Sequence, residues 1–162
     1  MCGLWKRGKD FPTVEIGGQV WMTENLDIKV DGSRCYGDDE NNCKKYGRLY
    51  TWDAAVSACP PGWRMPSFDD WQAVFDSVGT TPSEFRAGGS TLVEGDFRFL
   101  FGGSWSPDHG YSQLEEFGKY WTSTEWDDDP SGAWEFQLNK LLFPWRAVDP
   151  KSYCKSVRCI KV

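Results

Sequence analysis

The stretch GRLYTWDAAVSACPPGWRMPSFDDW, residues 47–71, reads as a helix, a hard stop, a turn and a second helix. Trp52, Ala55, Val56 and Cys59 recur at i, i+3, i+4 and i+7, a single apolar stripe that predicts a helix with its cysteine on the buried face. Pro60-Pro61-Gly62 ends that helix, because proline lacks the amide donor and clashes with the preceding turn. Ser67 is placed as the N-cap of the next helix, with Asp69 and Asp70 at its positive end. Trp71, Val74, Phe75 and Val78 repeat the stripe, and Gly79 stops it.

Upstream, Thr13-Val14-Glu15-Ile16 and Gln19-Val20-Trp21-Met22 flank Gly17-Gly18, which supplies the positive φ of a two-residue hairpin turn. Residues 31–42 read as a polar loop that Cys35 and Cys43 bracket and could close. Downstream, residues 80–96 are rich in Gly, Ser and Thr and read as irregular. Phe97 to Phe101 and Tyr120 to Thr124 read as short strands. Trp134-Glu135-Phe136-Gln137-Leu138 alternates, which places Trp134, Phe136 and Leu138 toward the core, and Asn139-Lys140 turns the chain. Ser156 to Val162 is read as a terminal strand carrying Cys159. No repeat, low-complexity run or linker divides residues 1–162. The expected architecture is one α+β domain, with two short helices packed on small antiparallel sheets and a long loop-rich second half.

Composition narrows the function classes. The 162 residues fit one ordinary domain. Ten Trp, ten Phe and six Tyr point to a fold stabilised by rings rather than by long helices. No apolar run approaches the roughly 18 residues of a membrane span. The net charge is −6, and the 18 basic residues are scattered. That leaves no basic footprint for nucleic acid. Cys2, Cys35, Cys43, Cys59, Cys154 and Cys159 include no CxxC pair, and His109 is the one histidine, so a zinc site lacks its usual spacing. An even cysteine count favours disulfides and an oxidising compartment, free thiols in a cytosolic protein being the alternative. Cys2 is either the lipid-bearing residue of a bacterial lipoprotein or an ordinary cysteine.

Several stretches, taken in order, resemble the Fibrobacter succinogenes major paralogous domain family. They are Val14 to Leu26, Cys35-Tyr36, Cys43 with Tyr46 to Trp52, Cys59 to Ser67, Tyr120 to Glu125, and Ser156 to Cys159. That family occurs mainly in surface or secreted bacterial proteins, often lipoproteins. The arrangement is also similar to C-type lectin-like folds, in which a cysteine near the end of the first helix pairs with one on the last strand. Carried over, the resemblance implies Cys59–Cys159, with Cys35–Cys43 as the local pair and Cys2 and Cys154 left over. Closing a loop of about 100 residues constrains the unfolded chain by roughly 4–5 kcal/mol in an entropy model. The Glu-Pro-Asn, Gln-Pro-Asp and Trp-Asn-Asp motifs of calcium-dependent lectins do not occur. Ser152 to Cys159 resembles the C-terminal end of formylglycine-generating enzymes, which bind copper through two cysteines. Cys154 matches the second of these, but Asp149 stands where the first is required.

No catalytic set emerges. Glu125-Trp126-Asp127-Asp128-Asp129 is the densest acidic run, either a solvated loop or a weak calcium holder without the EF-hand spacing. Trp105, Trp126 and Trp145 neighbour Pro, Gly or charged residues and are the aromatic surface candidates, while Trp121 and Trp134 read as core. The expected site therefore comprises Trp105, Trp126, Asp127, Asp128, Trp145 and Arg146. The expected function is an extracellular or cell-surface, adhesin-like module that binds a glycan or a surface protein through residues 103–146. It uses no catalytic cofactor, calcium being the one ion left open, and carries a possible lipid anchor at Cys2. The alternatives are an oxidase of the formylglycine-generating type or a structural subunit of a surface assembly.

Overall fold

A computed structural model describes residues 11–162. The expectations for Cys2, as a lipid anchor or a partner of Cys154, lie outside the described residues. Strands β1 (Thr13–Ile16) and β2 (Gln19–Met22) form the expected hairpin. Gly17 and Gly18 both have positive φ, 61° and 79°. A two-residue turn matched to the strand twist needs that conformation.

The polar segment 31–42 is not a plain loop. It holds β3 (Ser33–Arg34), a 3-10 turn at Tyr36–Asp38 and the start of α1 (Glu40–Tyr46), whose first turn the Asp39 carboxylate caps at Asn41. β4 (Leu49–Tyr50) pairs with β3. Then comes α2 (Trp52–Ala58), capped by Thr51. Its buried stripe differs from the expected one. Trp52, Ala55 and Ala58 are buried, whereas Val56 is 47% exposed and Cys59 stands beyond the helix in extended conformation. A seven-residue helix presents only a narrow inner face, and the three-residue spacing fills it.

β5 (Trp63–Arg64) leads to α3 (Phe68–Val78). Ser67 and Asp70 make a reciprocal capping box: Asp70 N–H donates to Ser67 Oγ at 3.2 Å, and Ser67 N–H donates to Asp70 Oδ2 at 2.8 Å. Trp71, Val74 and Phe75 are buried as the stripe predicts, and the helix ends at Gly79. The next segment corrects the expectation of irregular chain. It forms α4 (Pro82–Gly88), opened by a Thr81–Glu84 capping box, and α5 (Ser90–Glu94). Phe97 to Phe101 forms no strand, with Arg98 in the left-handed region at φ 53°; Phe97 and Phe99 are buried as ring contacts.

The second half is built on strands rather than loops. β6 (Ser104–Ser106) pairs with β7 (Gly110–Ser112). β8 (Phe117–Glu125), β9 (Gly132–Asn139) and β10 (Pro144–Pro150) form an antiparallel sheet in the order β10-β9-β8. The terminal strand is shorter than expected: β11 (Ile160–Lys161) lies between β2 and β5 in a sheet ordered β1-β2-β11-β5. The chain is therefore α+β, with several small antiparallel sheets.

Two apolar clusters make the core. The first surrounds Trp71, whose ring lies 4.7 Å from Trp21 and 4.9 Å from Tyr120, between α3 and the β8–β10 sheet. The second joins Met22, Leu26, Tyr50, Trp52, Trp121 and Val157. Arg158 is fully buried between them, with no carboxylate within ion-pair distance among the described residues. Its guanidinium instead donates to Asn25 Oδ1 (2.7 and 3.0 Å) and to the carbonyls of Met22, Phe97 and Arg98. Those acceptors satisfy a fork that burial would otherwise leave costly. Among the described residues, two disulfides brace the fold. Cys59–Cys159 spans 100 residues, and Cys35–Cys43 spans eight and receives Arg48 Nη1 at both sulfurs.

Candidate functional site

The β8–β10 sheet positions the site, because successive side chains on a strand point to opposite faces. The register aligns Tyr120, Phe136 and Arg146 on the face packed against α3. It aligns Lys119, Gln137 and Trp145 in one row of the other face, and Trp121, Glu135 and Ala147 in the next. Asp149 follows on β10, opposite Ala133.

The inner part of this second face is closed by residues 150–157 returning across it. Lys155 is fully buried there, its backbone paired in both directions with Tyr50. Its ammonium donates to Asp149 Oδ2 at 2.7 Å, forms an ion pair with Glu135 Oε2 at 2.7 Å, and lies 5.2 Å from the Trp121 ring. Gln137 Nε2 donates to the other Glu135 oxygen. Glu135 is itself fully buried, and that burial pushes its carboxyl pKa up against the opposing pull of Lys155. For Lys155 burial pushes downward, but the two carboxylates and their hydrogen bonds outweigh it and the pKa is raised.

The outer part of the same face is open. Trp145 is 66% exposed, and Gln137 and Lys119 beside it are half-buried. The ammonium of Lys119 has no carboxylate within ion-pair distance among the described residues and lies 5.6 Å from the Phe117 ring. Burial, and then the neighbouring Lys155, lower its pKa. At the hairpin tip the Asn139 side-chain oxygen accepts from the N–H groups of Leu141 and Phe143, both at 3.0 Å. This clamp leaves Leu141 and Phe143 exposed, with Arg86 of α4 over the Phe143 ring at 5.3 Å. Arg146, on the opposite face, donates to Gln72 of α3 at 2.7 Å. β10 is an edge strand with Pro144 and Pro150 at its two ends. Proline blunts an edge against strand addition.

The residues expected from sequence occupy three separate places. Trp145 and Arg146 stand on β10, on opposite faces. Trp126, Asp127 and Asp128 lie in the β8–β9 turn, at the other end of β9. Trp126 is half-buried, and Asp127 and Asp128 are exposed. Trp105 lies in β6, half-buried, with the Arg34 guanidinium 3.6 Å above its ring and its backbone paired with Cys154. The acidic run does not converge. Glu125 pairs with Lys151 at 2.7 Å, and Asp129 accepts from Ser131 N–H at 2.9 Å. Among the described residues, the one trio of metal-type side chains is Cys35, Glu40 and Cys43, and its two sulfurs are joined in a disulfide. His109 is exposed in the β6–β7 turn.

Cys154 is a buried free thiol whose pKa burial pushes up to about 11, with Arg34 opposing. Asp149, the other position of the copper-type resemblance, is held by Lys155. Copper(I) selects thiolates, and this arrangement offers a protonated thiol and an engaged carboxylate. A cavity of about 590 Å³ lies elsewhere, lined by Leu26, Ile28, Pro60, Pro61 and Trp63. Asn25 also lines it, but its oxygen is already taken by Arg158 and Tyr120.

Lys119, Gln137, Glu135, Asp149 and Lys155 were not among the residues expected from sequence. Only the polar positions in the alternation of β9 signalled Glu135 and Gln137, and alternation places such residues toward solvent. The family model described as Fibrobacter succinogenes major domain matches residues 14–161. No curated protein and no solved structure matches the chain.

Proposed function

We propose a ligand-binding function, on the premise that the chain belongs to the Fibrobacter succinogenes major domain family. The domain is a cell-surface or secreted module that recognises a glycan or a surface protein, and it performs no chemistry on what it binds. The observation that carries this reading is Trp145. A large ring held 66% in solvent on a strand, in the same hairpin as exposed Leu141 and Phe143, gives the fold little stability and suits a contact surface. Within the expected 103–146 region, the binding surface is the β9–β10 hairpin and the open face of its sheet. Trp105 and the β8–β9 turn serve the scaffold.

The two disulfides support an oxidising compartment, and no described helix is long and apolar enough to cross a membrane. The C-type lectin-like assignment is part of the same proposal. Its support is the bond between the cysteine after α2 and the one beside β11. The test is a glycan array together with capture of surface proteins from intact cells, run on the native chain and on Trp145→Ala. Binding by the native chain that Trp145→Ala abolishes, with the thermal midpoint unchanged, supports the reading. Binding that survives Trp145→Ala, or no binding in either format, overturns it.

A further inference from the structure

Three side chains of the open face share one cross-strand row, Trp145, Gln137 and Lys119. Neighbouring strands lie about 4.8 Å apart, so the row spans about 10 Å between the outer Cα positions. At one end is a flat ring in solvent; at the other is an ammonium. Between them Gln137 gives one N–H to Glu135, which orients the amide and leaves its carbonyl oxygen to accept from a ligand hydroxyl.

The ammonium is the unusual member. Exposed lysines are ordinary, but this one is half-buried, and the two carboxylates nearest its face, Glu135 and Asp149, both serve Lys155. The remaining charged group that acts on it, Lys155, repels it. Burial first, and then Lys155, lower the Lys119 pKa against the pull of Glu135 and Asp149, and an incoming carboxylate would add to that pull. Part of the ammonium's hydration is already removed before any ligand arrives, so the added charge-assisted hydrogen bond forms against a prepared donor.

We propose that this row is a subsite for a carboxylated sugar, a uronate or a sialate. The pyranose stacks on Trp145, a ring hydroxyl donates to Gln137, and the carboxylate pairs with Lys119. The inference rests on the binding function proposed above and narrows its ligand. It also explains why an acidic chain keeps a half-buried cation in its open face.

The test is titration calorimetry with matched pairs: trigalacturonic acid against its methyl ester, and sialyllactose against its sialate methyl ester. The acid of at least one pair is expected to bind about tenfold or more tighter than its neutral partner, the fold-change of one charge-assisted bond. The pair that shows the difference separates uronate from sialate. Lys119→Met should erase the acid preference and leave the weaker neutral binding, Lys119→Arg should keep the preference, and Trp145→Ala should lose both. Raising salt should weaken the acid alone. Equal affinity for acid and neutral partners, or a preference that survives Lys119→Met, overturns this inference and leaves the binding function standing. No sugar binding beside Trp145-dependent capture of a surface protein has the same consequence. Absence of both overturns the binding function as well.

Discussion

Replacing Lys155 with methionine removes the cation shared by Glu135 and Asp149 while keeping most of the side-chain volume. The ammonium lies 2.7 Å from each carboxylate, and Lys155 and Glu135 are both fully buried. Asp149 is 27% exposed and can turn to water; Glu135 cannot. Stranding one charge of a buried pair costs about 3–5 kcal/mol. For a domain of this size that lowers the thermal midpoint by roughly 6–20 °C, at about 2–4 °C per kcal/mol. The loss should depend on pH, with a definite sign. Without Lys155, burial drives the Glu135 pKa in the folded state well above the ordinary value near 4.3. The folded variant then binds a proton that the unfolded chain does not. Its stability rises as pH falls from 7 toward about 4.3 and is lost again as pH rises through that window. Glu135→Gln should cost less, because Lys155 keeps Asp149. The double variant should recover part of the Lys155→Met loss, since no charge is left stranded. The assay is urea unfolding followed by circular dichroism at pH 7 and pH 5, with disulfides intact. A loss below about 1 kcal/mol, no difference between the two pH values, or strict additivity of the two substitutions would refute the argument.

Three further outcomes are expected. Changing Cys59 and Cys159 together to serine should destabilise by roughly 2–5 kcal/mol, measured by the same denaturation, whereas an unchanged midpoint would mean the 100-residue closure contributes nothing. Iodoacetamide should leave Cys154 unmodified in the native protein at pH 8 and label it fully after denaturation, read by peptide mass spectrometry; native labelling would contradict its burial. Asp70→Asn should cost roughly 0.5–2 kcal/mol at pH 7 by loss of the α3 capping box. Burial pushes the Asp70 carboxyl up, but Ser67 and Arg64 outweigh it and hold the pKa below normal. Its stabilisation is therefore present above about pH 3.9 and lost as pH falls below that, so the gap from the native chain should close in acid.

How much of this was legible in the sequence depends on how local each signal is. The Gly17-Gly18 hairpin, the α3 stripe and its Ser67 cap are written within a few residues, and the structure has all three. The α4 helix was legible in the same way. Thr81-Pro82-Ser83-Glu84 carries a capping box and a proline at the first helical position, but the surrounding Gly and Thr hid it. The capping Asp39 gave α1 one local sign; its seven residues are too short and too polar for a stripe. The Cys59–Cys159 pairing came from the family resemblance, since spacing alone cannot choose among six cysteines. The open row was not legible. Residues 119, 137 and 145 meet only through strand register, and whether Glu135 faces water depends on residues 150–157 crossing the sheet. Pro144 and Arg146 mark Trp145 as a surface residue, and it is exposed, whereas Trp105 has similar neighbours and is covered by Arg34. Composition around a ring does not reveal what stacks on it.

The long disulfide also sets how the domain responds to being pulled. Tension applied at residues 11 and 162 passes through the covalent bridge from Cys59 to Cys159, so the backbone enclosed between them cannot be drawn out while the bridge holds. The sheet strands β1, β2 and β11 can peel apart, but β8, β9 and β10 lie inside the closed loop and cannot be stretched between its ends. The enclosed 100 residues hold roughly 330–360 Å of extended chain, which becomes available only when the bridge is reduced. Under load the β8–β10 sheet is therefore shielded from extension for as long as that one bridge stays oxidised.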